Sequence, residues 1–220
     1  MTRTVERLTS LPAGLPPHFP GMRIGLFGGS FDPPHAGHLR VSLVAIAALR
    51  LHQVWWLVSP HNPLKPNAPS EDLARRVAAA TALARGHPRI RVTAIEAGLG
   101  TTYTAETIAR LMPRLSGIDL VWMMGADNLR QFHRWRAWRT IAASVPMAVF
   151  NRPGEALAAL ASPAARYLAG GRIGANEAAR LAGMASPAWV FLPSPHIDLS
   201  STALRAARGG RKVRLESFTV

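Results

Sequence analysis

The chain has 220 residues, 48% of them hydrophobic, which is enough to bury one sizeable core. It contains no cysteine, so disulfides and thiolate metal sites are excluded and a reducing cytoplasm is the default compartment. A formal charge of +14 draws anions toward basic clefts, yet the basic residues are nearly all arginines scattered from Arg3 to Arg214, which does not describe a dedicated nucleic-acid surface.

Residues 1–21 lack the continuous apolar stretch of a secretory signal, and Glu6 with four prolines spoils an amphipathic helix, so a flexible extension is expected there. "RIGLF" (23–27) suits a buried strand, and "HLRVSLVAIAALRL" (38–51) carries apolar residues at helical spacing. "QVWWLV" (53–58) is rich in strand formers, and the four prolines of "SPHNPLKPNAPS" (59–70) predict a loop. Ser70 suits the N-cap of a helix over "EDLARRVAAATALAR", with Glu71 and Asp72 at its positive end and Gly86 and Pro88 as its stop. "IRVTAI" (90–95) reads as a strand, and "TAETIARLMPRL" (104–115) as a helix that Pro113 ends or bends. "DLVWMM" (119–124), "PMAVF" (146–150) and, beyond an Ala-rich helical stretch, "AWVFL" (188–192) read as further strands. No apolar run reaches the roughly 18–20 residues that cross a bilayer, so no membrane partner is expected. Strands that are continuously apolar and flanked by helices predict an α/β fold, a parallel sheet covered by helices on both faces. One domain over 22–212 with a tail at 213–220 is expected.

In open parallel sheets, ligands collect at the carboxyl ends of the strands. Four polar stretches fall there: Gly28–His38, Ser59–Ser70, Gly125–Arg139 and Pro193–Arg205. In the first, Gly28 and Gly29 let the backbone approach a ligand, Pro33 and Pro34 stiffen the turn, and Gly37 opens the helix start. His35 and His38, three apart, project to one side of the first helical turn, where imidazole can donate to an anion already favoured by free N–H groups. A bare turn with surface histidines would account for either imidazole alone; the whole pattern points to an anion site. The last stretch repeats the physics: Ser200, Ser201 and Thr202 supply hydroxyls and an N-cap, and Arg205 lies one turn on. Two helix starts aimed at one ligand would hold a polyphosphate without a catalytic nucleophile.

At these residues the chain resembles a known family. "GGSFDPPHAGHL" matches the G-x-F-D-P-x-H-x-G-H signature of the nucleotidyltransferase superfamily, and "SSTALR" resembles its I-S-S-T-x-I-R signature, with Leu199 and Leu204 in place of isoleucines. "GLGTTYTAET" and "MMGADNLRQFHRWRAWRTI" are similar to the intervening motifs of bacterial nicotinate-nucleotide adenylyltransferases. The resemblance runs from about residue 22 to 210 and implies a Rossmann-like sheet that transfers AMP from ATP to nicotinate mononucleotide, with Mg²⁺ accompanying the triphosphate and no metal held by the protein itself. By position it implies that His35, His38 and Arg205 stabilise the transferring phosphates. Gly28, Gly29, Ser30, Phe31, Gly125, Asp127, Ser200, Ser201 and Thr202 would complete the ATP site. The resemblance also implies that Thr102, Tyr103 and Thr104 meet the pyridine carboxylate, that Trp135 stacks on the ring, and that Lys65 with Arg152 takes the mononucleotide phosphate. Leu64 departs from the histidine common at its position. Trp138 is expected to pack rather than bind, and Asp32 to brace its loop.

Two other readings compete. One is a related transferase with another phosphate acceptor, such as nicotinamide mononucleotide or phosphopantetheine; the Thr102–Thr104 and Trp135 elements argue against it. The other is a basic RNA-binding protein of synthetase-like fold, motivated by the charge and by the only dense basic runs, "HRWRAWR" (133–139) and "RGGRKVR" (208–214). The oligomeric state is not legible in the chain.

Overall fold

The computed structural model describes residues 14–60, 72–152 and 154–193. Seven parallel strands run through them: β1 (Arg23–Gly29), β2 (Gln53–Val58), β3 (Ile90–Thr93), β4 (Asp119–Gly125), β5 (Met147–Phe150), β6 (Arg172–Ile173) and β7 (Trp189–Leu192). Their spatial order is β3-β2-β1-β4-β5-β7-β6. The chain steps outward from β1 to β3, then returns to place β4 on the other side of β1. The switch point of the sheet therefore lies between β1 and β4, where ligands of doubly wound sheets bind.

Continuous apolar strands bury both faces, and successive side chains feed two separate cores. On β2, Trp55 and Leu57 join Leu26, Trp122, Met124 and Val149 on one face; Val54, Trp56 and Val58 join Phe27, Val121, Met123 and Phe150 on the other. The first face is covered by α4 (Thr104–Leu111), α5 (Ala126–Gln131), α6 (Trp138–Ser144), α7 (Ala156–Leu160) and α8 (Pro163–Tyr167). The second is covered by α1 (Ala36–Ala48), α2 (Leu73–Ala84) and a 3₁₀ stretch, Ala175–Gly183. The expected α/β sheet with helices on both faces is what the chain forms.

Several boundaries differ from the sequence reading, each for a local reason. The strand expected over 90–95 ends at Thr93, and Ile95 opens a short helix, α3 (Ile95–Leu99), in which it stays buried. The helix expected over 104–115 keeps α-geometry to Leu111 and tightens to 3₁₀ over Met112–Leu115, where Pro113 has no N–H to give. The polar stretch after β4 is itself helical in two pieces, α5 and α6, with Ala137 in the left-handed region at φ 52° just before α6. The Ala-rich stretch is broken into α7, α8, 3₁₀ turns and the two-residue β6. The helix α2 begins after Asp72; Ser70 and Glu71 lie outside the described residues.

Packing also extends beyond residue 22 toward the N-terminus. Leu15 packs against the first core, the His18 ring meets Trp55 edge-on at 5.8 Å, and Thr93 donates to the Gly14 carbonyl at 3.0 Å. Residues 14–21, expected as part of a flexible extension, thus belong to the packed body.

Candidate active site

The loop leaving β1 turns back through Phe31, whose φ of 47° lies in the left-handed region that is costly for an aromatic residue. Packing holds it there: the Phe31 ring stacks on Trp56 at 5.1 Å, meets Phe27 edge-on at 6.0 Å and is almost fully buried. The same ring lies 4.7 Å from His38. Trp56 Nε1 donates to Ser42 Oγ at 2.7 Å, and Ser42 Oγ donates to the His38 carbonyl at 2.8 Å, so the sheet is tied to the first turn of α1.

His35 is the N-cap of α1, with extended backbone. The Gly37 N–H donates to His35 Nδ1 at 3.1 Å, and the His35 N–H donates to His38 Nδ1 at 3.2 Å, a reciprocal cap made by two imidazoles. The ring centroids are 3.9 Å apart. A nitrogen that accepts from a backbone N–H carries no proton, so each neutral ring bears its hydrogen on Nε2. Burial lowers the His35 pKa from 6.5 to about 4, helped by the Arg152 guanidinium. Burial takes His38 to about 3, with His35 and Arg152 adding to it. At neutral pH the pair is therefore a set of uncharged donors and not a pair of cations.

Arg152 leaves β5, and its Nε lies 3.2 Å from Asp127 Oδ1 at the start of α5. A Cβ on Gly125 would collide with Asp127 Oδ1 and come within 3.0 Å of Arg152 Nε, so the Asp127–Arg152 contact depends on the absence of a side chain there. Gly28 is similarly constrained, because a Cβ would stand 2.8 Å from Trp122 Cη2. His35, His38, Gly125, Asp127 and Arg152 are thus gathered at the switch point. The Arg152 guanidinium bears electrostatically on both imidazoles; Lys65, which the sequence reading paired with it on the acceptor phosphate, lies outside the described residues.

The second cluster lies around α4. Thr102 is exposed, Tyr103 is half-buried and Thr104 opens the helix. The Arg136 guanidinium sits 4.8 Å from the Tyr103 ring centroid and 3.1 Å from Glu106 Oε1. These contacts bring the Thr102–Thr104 turn to the segment that carries Trp135. Trp135 meets Phe132 at 5.4 Å, and its Nε1 has no hydrogen-bond partner among the described residues. Trp138 packs between Phe132 and Tyr167, at 5.8 and 5.1 Å, as a structural residue would.

Lys65, Leu64, Ser200, Ser201, Thr202 and Arg205 lie outside the described residues. Sequence reasoning passed over a buried polar set beneath the site: Arg76, Glu96, Thr101 and Thr107. Arg76 donates to the carbonyls of Ser30 at 2.6 Å and Ser59 at 2.8 Å. Its only signal was an arginine in an Ala-rich helix, beside an exposed-type neighbour, Arg75.

The chain matches the family model described as cytidylyltransferase-like over residues 26–207. A Cereibacter sphaeroides protein named "Probable nicotinate-nucleotide adenylyltransferase" is 55% identical over 84% of this chain and 97% of its own length. A Bradyrhizobium protein of the same name is 53% identical over 87% and 99%. Among solved structures, the Plasmodium falciparum nicotinic acid mononucleotide adenylyltransferase complexed with NaAD superposes with a TM-score of 0.63, covering 84% of this chain and 83% of that one. At 13% identity that likeness speaks for the fold alone. With the imidazole-capped helix at the switch point of a parallel sheet, and with relatives this similar over nearly their whole length, the chain belongs to the nicotinate-nucleotide adenylyltransferases of the cytidylyltransferase-like family.

Proposed function

We infer that the protein transfers AMP from ATP to nicotinate mononucleotide, releasing pyrophosphate and leaving deamido-NAD. The observation that carries the mechanism is the imidazole pair, whose Nδ1 atoms are committed to backbone N–H groups and whose Nε2–H groups remain to donate. A phosphate oxygen of the mononucleotide attacks the α-phosphorus in line. The new P–O bond forms as the bond to the bridging oxygen of pyrophosphate breaks, with no covalent enzyme intermediate. Negative charge grows on the non-bridging and leaving oxygens, and fixed donors that need no reorganisation stabilise it by about 2.7–4 kcal/mol each. The burial that keeps both rings neutral also keeps water from weakening those bonds. Arg152, at the same edge, supplies the positive charge that the imidazoles lack, and Asp127 holds it in place and can accept ribose hydroxyls. Ser200, Ser201, Thr202 and Arg205 would grip the outer phosphates.

Mg²⁺ accompanying the triphosphate would offset its negative charge and would be held by substrate phosphates and water rather than by a protein cage. The described residues contain no group of three metal-ligating side chains, and Mg²⁺ at such sites is commonly held by substrate phosphates and water. On the acceptor side, Thr102, Tyr103 and Thr104 offer hydroxyl and backbone groups for the carboxylate. Trp135 offers an indole face for the electron-poor pyridinium. Lys65 is left for the mononucleotide phosphate. Among the described residues no helix is long and apolar enough to cross a membrane. A cysteine-free chain suits the reducing cytoplasm, where we place the reaction.

Pyrophosphate release from ATP, measured with a panel of acceptors, tests the reading. Turnover with nicotinate mononucleotide is expected. Turnover only with nicotinamide mononucleotide or phosphopantetheine would reassign the acceptor. RNA retention that survives high salt, with no turnover on any acceptor, would replace the enzyme reading, since simple charge attraction fades as salt rises.

A further inference from the structure

The turn Thr102–Thr104 leads from α3 into α4, and a buried carboxyl lies beneath that joint. Glu96 sits in the first turn of α3. The Thr107 hydroxyl, on α4, donates to Glu96 Oε1 at 3.2 Å. With its one hydrogen spent there, Thr107 Oγ1 accepts from Thr101 Oγ1 at 2.9 Å. Thr101 closes the ring, because its N–H donates to the Glu96 carbonyl at 3.0 Å. The Thr107 N–H donates to the Tyr103 carbonyl at 3.1 Å, so the chain is fixed on both sides of Thr102. Thr102 itself stays exposed.

Glu96, Thr101 and Thr107 are each at most 4% exposed. A buried carboxyl is costly, and burial pushes this one toward its neutral form. With five residues, α3 has little stability of its own and takes its place from such contacts. Apolar packing would hold two helices together at less cost, but without fixing the direction of a backbone group. A closed ring of hydrogen bonds does fix it, because turning any member leaves a buried partner unsatisfied. We propose that Glu96 is a positioning residue for the acceptor: through Thr107 and Thr101 it holds the Thr102–Thr104 turn in the geometry that receives the mononucleotide's carboxylate. This rests on the two-substrate reading above.

Steady-state kinetics of the full chain, each substrate varied at saturating levels of the other, read the set of the turn in the KM for nicotinate mononucleotide. Thermal melts choose an assay temperature at which every chain is folded. Thr107→Val removes the hydroxyl and keeps the branched shape, and should raise that KM roughly tenfold, the scale of one buried partner left unsatisfied. The kcat and the KM for ATP should stay within about twofold, since only acceptor binding is disturbed. Glu96→Leu should do the same; should it not fold, Thr107→Val and Thr107→Ser decide. Thr107→Ser and Glu96→Gln keep the hydrogen bonds and should stay within about threefold of wild type. A Thr107→Val chain with an unchanged KM overturns the proposal. So does one whose kcat and both KM values worsen together, which would make the ring a plain structural support. A Glu96→Gln chain that loses about tenfold in this KM overturns it too, because the amide oxygen still accepts from Thr107. A wild type that turns over another acceptor but not nicotinate mononucleotide overturns the functional reading instead, and the proposal with it.

Discussion

The two halves of the site are built to different standards. The phosphate half is buried and braced: His35 caps α1, Phe31 is locked against Trp56 and Arg76 holds the loop carbonyls from below. The acceptor half is held on its outer side by Arg136 and Glu106, whose side chains are 63% and 40% exposed, and by a guanidinium over Tyr103. Exposed ion pairs are worth about 0–1 kcal/mol, far less than a buried network. On the function proposed above, the half that would stabilise the transition state is rigid, and the half that would select a substrate rests partly on adjustable surface contacts.

The largest predicted effect comes from breaking the rigid half. His38→Ala should lower kcat by roughly 10²–10³-fold, the loss expected for one preorganised donor, while the dissociation constant of α,β-methylene-ATP moves only a few-fold. Equal losses in both would mean that the imidazole binds the ground state only.

A second test uses acid. In the native state the rings take up protons only near pH 4 and pH 3, against 6.5 when exposed, so the unfolded chain binds more protons between those values. The stability this pair contributes is complete above about pH 6.5 and is lost as pH falls toward 3. Urea midpoints of wild type and of His35→Gln/His38→Gln should therefore converge or cross on acidification, and parallel curves would contradict the neutral pair.

The adjustable half should show smaller effects. Trp135→Ala is expected to raise the KM for nicotinate mononucleotide roughly tenfold with kcat little changed, the scale of one cation–aromatic stack. An unaltered KM would return Trp135 to the core beside Phe132. Smallest of all, Arg136→Ala should raise that KM by about two- to fivefold, since only an exposed pair is lost. A loss as large as that of Trp135→Ala would show the comparison to be misdrawn.

What the chain revealed by itself followed from how local the signal was. Strands buried on both faces announce themselves as unbroken apolar runs, so β1, β2, β4, β5 and β7 were legible. The Gly-Pro-His cluster was legible because few structural needs call for that mixture. Arg76 was not, because its burial depends on which way one turn of an Ala-rich helix faces, and Arg75 beside it has the same composition. Glu96 was hidden because Ile95 reads equally well as strand or helix once buried. The uncharged state of the imidazoles was hidden for a different reason: it arises from burial, to which the sheet residue Trp56 contributes, and from the Arg152 guanidinium, far along the chain.

The reciprocal cap at the start of α1 also bears on which ions the protein would tolerate. A transition metal needs a lone pair, and each of these rings points its lone pair at a peptide hydrogen while offering a proton outward. Chelation by the pair would require both rings to exchange tautomers and abandon the helix start together. Two histidines in near contact, ordinarily an invitation to zinc or nickel, here set a tautomer exchange and a lost helix cap against either ion.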